Sequence, residues 1–205
     1  MLANLARDNR LCICGLPGSG KTTLTRHICS LLEPRVLIYD PLDQYRMFKD
    51  NNRYIPKSDS LVEFESVCRQ LCATKNITFV VEEAERYLGQ GKPLGPYAFD
   101  LCNRGRNWNV GVYAVTRRIQ RISKDFFDLC QNIIFFKNGA KSRMYIRDLV
   151  GKEIAVWIYE LERFHFLYYS LETEETIDGV LEIEGVREHI ETRSMSGAEQ
   201  PKEKE

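Results

Sequence analysis

The sequence predicts an α/β protein with three layers, in which helices cover both faces of a mainly parallel β-sheet. Short apolar runs alternate along the 205 residues with segments whose apolar residues recur every three or four positions, which is the pattern of strands alternating with amphipathic helices. The runs are continuously apolar, as expected for strands that are buried on both faces. With 43% hydrophobic and 28% charged residues, the chain can also bury a sizeable core.

The first half of the chain supplies three predicted strands and two predicted helices. The strands are apolar runs that stop at glycine or at charged residues: 11–14, 36–39 and 77–81. The helices carry apolar residues at three- and four-residue spacing: 21–32 and 61–72. The polar stretch between them, residues 46–60, is predicted to be mostly loop.

The second half continues the alternation and ends in an acidic stretch. We predict helices over 97–108 and 145–149, and a further helix that runs to about residue 159. Ser123 is predicted to cap a short helix, and strands are predicted over 110–116, 133–136 and 164–169. The strand over 164–169 is expected to be the final one. Beyond residue 171 the net charge is −7. We therefore expect a domain over residues 1–170 and an acidic extension over 171–205 with a disordered end.

Composition excludes several classes of protein. The formal net charge is zero, so non-specific binding to nucleic acid would need a local basic surface. No run approaches the 18 apolar residues of a membrane span, and the polar N-terminus lacks the apolar core of a secretory signal. Seven cysteines without a C-x-x-C pair, and three histidines that do not cluster with them, favour buried thiols over a zinc or disulfide framework. A cytoplasmic location is expected.

A phosphate-binding loop follows the first predicted strand. Gly15 to Thr22 satisfies the pattern G-x-x-x-x-G-K-[ST], between a strand and a helix. Glycines let successive backbone N–H groups converge on phosphate oxygens at the positive end of the helix. In this interpretation Lys21 reaches the β- and γ-phosphates of ATP and the Thr22 hydroxyl holds Mg²⁺. The candidate ATP-binding residues are Gly15, Leu16, Pro17, Gly18, Ser19, Gly20, Lys21, Thr22 and Thr23.

Two carboxylates end the third strand. Glu82 is placed to order the Mg²⁺ shell, and Glu83, one residue later, can polarise a water molecule for in-line attack on the γ-phosphate. Water as the nucleophile implies hydrolysis. The alternative is that both are solvated acids at the start of a loop.

A basic region surrounds the strand over 110–116. Ten lysines and arginines lie between residues 101 and 147, against Asp125 and Asp128. Some of these bases can face the γ-phosphate of a neighbouring subunit, and others can line a channel for a polyanion. A solvated basic face remains the alternative.

Four segments together resemble the FtsK–HerA superfamily of ring-forming, DNA-pumping ATPases. The likeness is greatest to the small viral and prophage genome-packaging and Zot-like ATPases, and it covers about residues 10–170. The segments that carry it read GLPGSGKT, IYDPLDQY, FVVEEAERYL and NRGRNWNVGVYAVTRRIQRISKDF.

The resemblance implies a RecA-like core, with an added strand between the two nucleotide-sensing motifs. It also implies a hexameric or pentameric ring that acts on double-stranded DNA, with a capsid or portal protein as a further partner. Glu82 matches the Mg²⁺-associated acid, Glu83 the water-activating glutamate and Arg117 the residue that ends the sensor strand. Arg104 and Arg106 match the region that supplies an arginine to the neighbouring subunit in some members.

The chain departs from the superfamily at two of these positions. Aspartate is usual where Glu82 stands, and glutamine is usual where Arg117 stands. Because arginine cannot accept a hydrogen bond from water, Arg117 is expected to stabilise phosphate charge rather than to position the nucleophile.

Two other functions fit the phosphate loop. In a nucleoside or nucleotide kinase, an acid after the second strand, Asp40 or Asp43, would deprotonate an acceptor hydroxyl; the same residues can instead form a turn. An assembly factor that binds nucleotide without turnover is the third possibility. If the protein is viral, its location is the host cytoplasm or the virion.

Overall fold

An eight-stranded sheet runs through the part of the chain that the computed structural model describes, residues 8–91 and 93–182. Its strands are β1 (Arg10–Cys14), β2 (Val36–Tyr39), β3 (Arg53–Tyr54), β4 (Ile77–Val81), β5 (Val110–Thr116), β6 (Asn132–Phe136), β7 (His165–Ser170) and β8 (Thr176–Val180). The helices are α1 (Lys21–Leu32), α2 (Leu61–Thr74), α3 (Pro96–Arg104), α4 (Lys124–Phe127), α5 (Arg143–Val150) and α6 (Lys152–Glu160).

The strand order is β3-β2-β4-β5-β1-β6-β7-β8, and the first six strands in the chain are mutually parallel. Strand β1 lies between β5 and β6, with Leu11 opposite both Tyr113 and Asn132. Strand β5 lies between β1 and β4 and is the added strand that the resemblance implies. Strands β7 and β8 extend the sheet in antiparallel orientation. The mainly parallel α/β class is therefore confirmed.

The sheet separates two hydrophobic clusters, which gives the predicted three layers. One cluster packs α1 against one face through Leu24, Ile28 and Leu32. The other holds buried side chains of α2 to α6, among them Phe64 and Ile158. Six of the seven cysteines are buried free thiols, as the sequence predicts.

The main elements agree with the sequence, and the differences lie at edges and ends. The helix predicted over 97–108 ends at Arg104 and continues as the 3₁₀ turn Gly105–Trp108. A Cβ on Gly105 would lie 2.8 Å from the carbonyl oxygen of Val110, so a side chain at this position would collide with the start of β5. The predicted loop over 46–60 contains the two-residue strand β3.

The expectation that 164–169 is the final strand is wrong, because β8 pairs with β7. Strand β8 lies at the edge of the sheet and is mostly half-buried, so its sequence lacks the continuous apolar run of a central strand. The sheet thus continues past residue 170. The disordered end expected within the acidic extension lies in residues 183–205, outside the described residues, and the division into domain and extension remains a prediction. Among the described helices, none has the length and apolar character needed to cross a bilayer.

Candidate nucleotide site

The phosphate loop connects the central strand β1 to helix α1. Gly20, the residue before the helix, has a φ of 114°, a backbone conformation that side chains strongly disfavour. A Cβ at this position would also lie 2.8 Å from Leu181 Cδ1 and 3.1 Å from Phe136 Cε1. Glycine is therefore required by both the backbone and the packing, and the end of β8 forms one wall of the loop.

Lys21 is curled back onto its own loop. It is 9% exposed, and its Nζ donates hydrogen bonds to the carbonyl oxygens of Gly15 at 2.8 Å and Leu16 at 2.9 Å. Burial lowers the pKa of Lys21 from its usual value. The ammonium group thus lies beside the loop where phosphate oxygens can bind it.

A polar cleft brings the loop together with the ends of three strands. Its walls come from the loop, the segment after β2 and the ends of β4 and β5: Pro17, Gly18, Lys21, Thr22, Leu42, Gln44, Glu82, Glu83, Val115, Thr116 and Arg117. The carboxyl ends of parallel strands meet at one edge of a sheet, which is where open α/β folds bind ligands. The structure therefore places both predicted carboxylates and Arg117 beside the phosphate loop.

Glu82 is buried and has a specific donor. Its carboxylate is 6% exposed and accepts a hydrogen bond from the hydroxyl of Tyr45, which is fully buried. Burial raises the pKa of Glu82, and the Tyr45 bond and the nearby Lys21 oppose that shift. Tyr45 therefore fixes the orientation of the carboxylate at the floor of the cleft.

The segment after β2 is organised by Asp40. This fully buried carboxylate accepts the backbone N–H groups of Gln44 and Tyr45, both at 2.9 Å. Asp43 instead pairs with Arg53 at 2.8 Å. Neither aspartate is among the cleft-lining residues, so the structure supports the turn over the kinase base.

Oxygen donors suited to Mg²⁺ converge at the cleft. The Thr22 hydroxyl lies 3.3 Å from Oε1 of Gln44, and Thr22, Gln44 and Glu82 all line the cleft. Mg²⁺ keeps several waters and is usually held by one or two protein oxygens together with substrate phosphates. The described residues contain no group of three or more acidic, histidine or cysteine side chains that could hold a metal ion.

Glu83 forms an ion pair with Arg117. Its backbone is left-handed, with φ 51°, and one carboxylate oxygen lies 2.5 Å from Nη2 of Arg117. The Arg117 side chain is 48% exposed, whereas that of Glu83 is 10% exposed. The expected contact of Arg117 with phosphate remains a prediction, because in this structure its guanidinium binds the carboxylate.

The remaining predicted residues lie outside this cleft. Arg104 and Arg106 are both about two-thirds exposed and pair with Asp100 and Asp8, each at 3.5 Å. Asp8 precedes β1, so Arg106 is at the amino edge of the sheet, opposite the phosphate loop. Thr23, the third residue of α1, is exposed.

Three residues at the site were not assigned a role from the sequence. Gln44 and Tyr45 belong to the IYDPLDQY segment, in which the sequence indicates possible roles only for the two aspartates. Arg163 donates to the carbonyl oxygen of Gly18 at 3.2 Å and stacks on Phe164, whose N–H binds the carbonyl of Ser19. No local pattern identifies Arg163, because its position depends on the return of β7 to the loop.

Searches of known proteins found similarity through structure only. No family model matches the sequence, and no curated protein matches it. The structure is similar to the genome packaging NTPase B204 from Sulfolobus turreted icosahedral virus 2 in complex with ATP-gammaS. The TM-score is 0.75 at 16% identity, over 85% of this chain and 98% of that chain.

Two further solved structures share the fold. The N-terminal domain of zonular occludens toxin from Neisseria meningitidis matches with a TM-score of 0.52 at 12% identity, over 85% of this chain and 94% of that chain. The pCW3 conjugation coupling protein TcpA, solved with ATPgS, matches at 0.53 and 15% identity, over 85% of this chain and 60% of that chain. Genome-packaging and Zot-type proteins, the two groups that the sequence motifs resemble, are thus both among its structural neighbours, and the fold that the resemblance implies is confirmed.

Proposed function

We propose that this protein hydrolyses ATP at the cleft, as a subunit of a ring that moves double-stranded DNA during viral genome packaging. The observation that carries the proposal is the meeting of a phosphate loop with Glu82 and Glu83 at one cleft. The shared fold of a viral genome packaging NTPase, solved with ATP-gammaS, supports it.

Each residue of the cleft has a task in hydrolysis. The loop amides and Lys21 bind the triphosphate, and Glu83 accepts a proton from the attacking water. The water oxygen then forms a bond to the γ-phosphorus, while the bond from that phosphorus to the bridging oxygen breaks. The bridging electron pair leaves with ADP, and the water proton stays on Glu83 before it passes to solvent.

Thr22 and Glu82 are the residues that would hold Mg²⁺, with Gln44 beside them. When bound, the ion neutralises charge on the β- and γ-phosphates. The bond from Tyr45 keeps the Glu82 carboxylate turned toward this position.

A ring explains the two arginines outside the cleft. Arg104 and Arg106 are exposed, lie outside the cleft and form ion pairs near the surface. Either can therefore reach a site on an adjacent subunit of a hexamer or pentamer, where an arginine is worth about 10³-fold or more in related NTPases.

The basic region supplies the contact with DNA. Exposed lysines and arginines follow the carboxyl ends of β5 and β6, on both sides of the phosphate loop: Arg117, Arg118, Arg121, Lys137, Lys141 and Arg143. Neutralising phosphates with such residues produces sequence-independent, salt-sensitive binding. A capsid or portal protein is the expected further partner, and the host cytoplasm or the virion is the expected location.

One assay separates the three candidate functions. ATP turnover by the full chain is measured alone, with duplex DNA, and with a panel of nucleosides and nucleotides. Turnover that rises with duplex DNA supports the motor, and turnover that requires a small acceptor supports a kinase. Tight binding of ATP without any turnover supports the assembly factor and contradicts our proposal.

Glu83→Gln tests the proposed base within the same assay. We expect ATP to remain bound while turnover falls at least about 10²-fold, the usual contribution of a general base. Glu153→Gln removes an exposed carboxylate on α6 and serves as the matched control. Wild-type turnover in Glu83→Gln would remove this residue from the mechanism.

A further inference from the structure

The turn that follows β5, residues 117–121, carries a concentrated positive charge beside the proposed base. Arg117, Arg118 and Arg121 are exposed and lie within five residues of one another. Of these three arginines, only Arg117 forms an ion pair with an acidic residue of the described part of the chain, and that residue is Glu83. Two cations on this turn therefore remain available to an anionic ligand.

The ion pair competes with water for one oxygen of Glu83. A base must offer an oxygen lone pair to the attacking water, whereas the guanidinium already occupies one carboxylate oxygen through a charge-assisted bond at 2.5 Å. Glutamine is usual at position 117 in the superfamily that this chain resembles, and it has no charge with which to form such a pair. The restraint is thus specific to the arginine at position 117.

The pair is also open to competition. Glu83 is largely buried, but nearly half of the Arg117 side chain is exposed to solvent. An anion arriving from solvent can therefore reach the guanidinium without displacing the carboxylate from the cleft. Arg118, the next residue in the chain, is also exposed to solvent.

Hydrogen bonds join the residues at both ends of the turn to the segment that follows Glu83. These bonds run from Thr116 Oγ1 to Glu85 Oε2 at 2.7 Å, from Gln90 N to Arg121 O at 2.7 Å, and from Ser123 N to Leu88 O at 2.8 Å. They connect the exposed arginines to the segment that positions the base.

We infer that the turn over residues 117–121 is a DNA-responsive brake on hydrolysis. Arg117 holds Glu83 in an unproductive ion pair until duplex phosphates bind Arg118 and Arg121 and draw Arg117 away. Arg117 is then a positioning residue that acts through Glu83. The inference rests on the proposed ATPase function and adds to it how the polymer controls the site.

The test compares ATP turnover with and without duplex DNA in wild type, Arg117→Gln and Arg117→Lys. For Arg117→Gln we expect the DNA-free kcat to rise by up to about fivefold, the factor expected for a half-exposed ion pair. The stimulation by DNA should fall toward one, with little change in KM. Arg117→Lys keeps the charge and should restore much of the restraint.

The double variant Arg118→Gln/Arg121→Gln tests the DNA side. We expect the DNA concentration for half-maximal stimulation to rise severalfold and to depend less on salt. Arg35→Gln removes an exposed cation at the amino end of β2, at the opposite edge of the sheet, and is the matched control. Thermal melting and binding of a fluorescent ATP analogue verify that each variant is folded.

Three outcomes would overturn the inference. If Arg117→Gln lowers the DNA-free kcat and leaves the stimulation factor intact, Arg117 stabilises phosphate charge and restrains nothing. If wild-type turnover does not respond to duplex DNA, the brake is absent although the ATPase stands. If wild type does not turn over ATP at all, the proposed function fails together with the inference.

Discussion

At the scale of single residues, Lys21 is the side chain on which nucleotide binding depends most directly. Its ammonium donates hydrogen bonds to two carbonyl groups of its own loop. We expect Lys21→Ala to weaken ATP binding at least about tenfold, because a charge-assisted bond to phosphate is lost. Titration with a fluorescent ATP analogue measures this. Lys49→Ala, at an exposed lysine, is the control, and equal affinities would refute the assignment of the phosphate loop.

Glu82 should make the stability of the nucleotide-free protein depend on pH. Its folded pKa is raised by burial, whereas the unfolded value is about 4.3. Between these two values the folded state holds the proton more tightly. The stabilisation is therefore fully present below the unfolded pKa and is lost as pH rises through the folded pKa.

The difference in thermal midpoint between wild type and Glu82→Gln isolates this effect. Relative to the variant, wild type should lose stability as pH rises from about 4.3 through the raised pKa, and the difference should then level off. Melting curves in EDTA over this range provide the measurement. Parallel midpoints at every pH would show that the carboxylate ionises as easily when folded as when unfolded.

Sequence reasoning located Glu82 and Glu83 because both follow a buried central strand, whose position relative to the phosphate loop is fixed by parallel pairing. It did not find the bond from Tyr45 to Glu82, since the donor lies in an irregular segment 37 positions away in the chain. The pairing of Arg117 with Glu83 was missed for a related reason. The sequence shows that Arg117 is cationic, but it does not show whether its guanidinium binds the phosphate or the carboxylate of Glu83.

At the scale of elements, Leu181, the residue after β8, packs against the phosphate loop. Gly20→Ala would force a Cβ into a left-handed backbone and against Leu181, 2.8 Å away. We expect a loss of about 1–3 kcal/mol in the free energy of unfolding, measured by urea denaturation.

Gly91→Ala separates the two contributions to that loss. Gly91 also has a positive φ, 86°, but a Cβ there would meet no atom within 4 Å. Gly20→Ala should therefore cost more than Gly91→Ala, and adding Leu181→Ala should recover part of the excess. An equal loss in the free energy of unfolding for Gly20→Ala and Gly91→Ala would mean that the packing of Leu181 on the loop does not affect the size of the loss.

Central elements were more predictable than peripheral ones. Strands β4 and β5 match their predicted ranges because burial on both faces demands an unbroken apolar run. Strand β3 has two residues and β8 lies at an edge, so neither needs such a run. The end of α3 depends on a close approach between Gly105 and Val110, which no local pattern encodes.

At the scale of the whole molecule, the proposed ring makes each active site a product of two subunits. Arg104→Ala or Arg106→Ala subunits keep an intact cleft, and Glu83→Gln subunits keep intact arginines. Mixing the two inactive proteins should therefore restore turnover, up to about one quarter of wild type, since random assembly makes that fraction of interfaces complete.

A mixture of Lys21→Ala with Glu83→Gln is the matched control. Both substitutions damage the same cleft, so no interface in that mixture is complete and turnover should stay absent. If neither arginine variant gains activity at any mixing ratio, these arginines do not serve a shared site.

The contact of Leu181 with Gly20 determines where the chain can be shortened. A fragment that stops at residue 170, where the sequence places the end of the domain, would lack both β8 and the side chain that packs beside Gly20. A shortened form that is meant to keep this contact must therefore extend at least to Leu181.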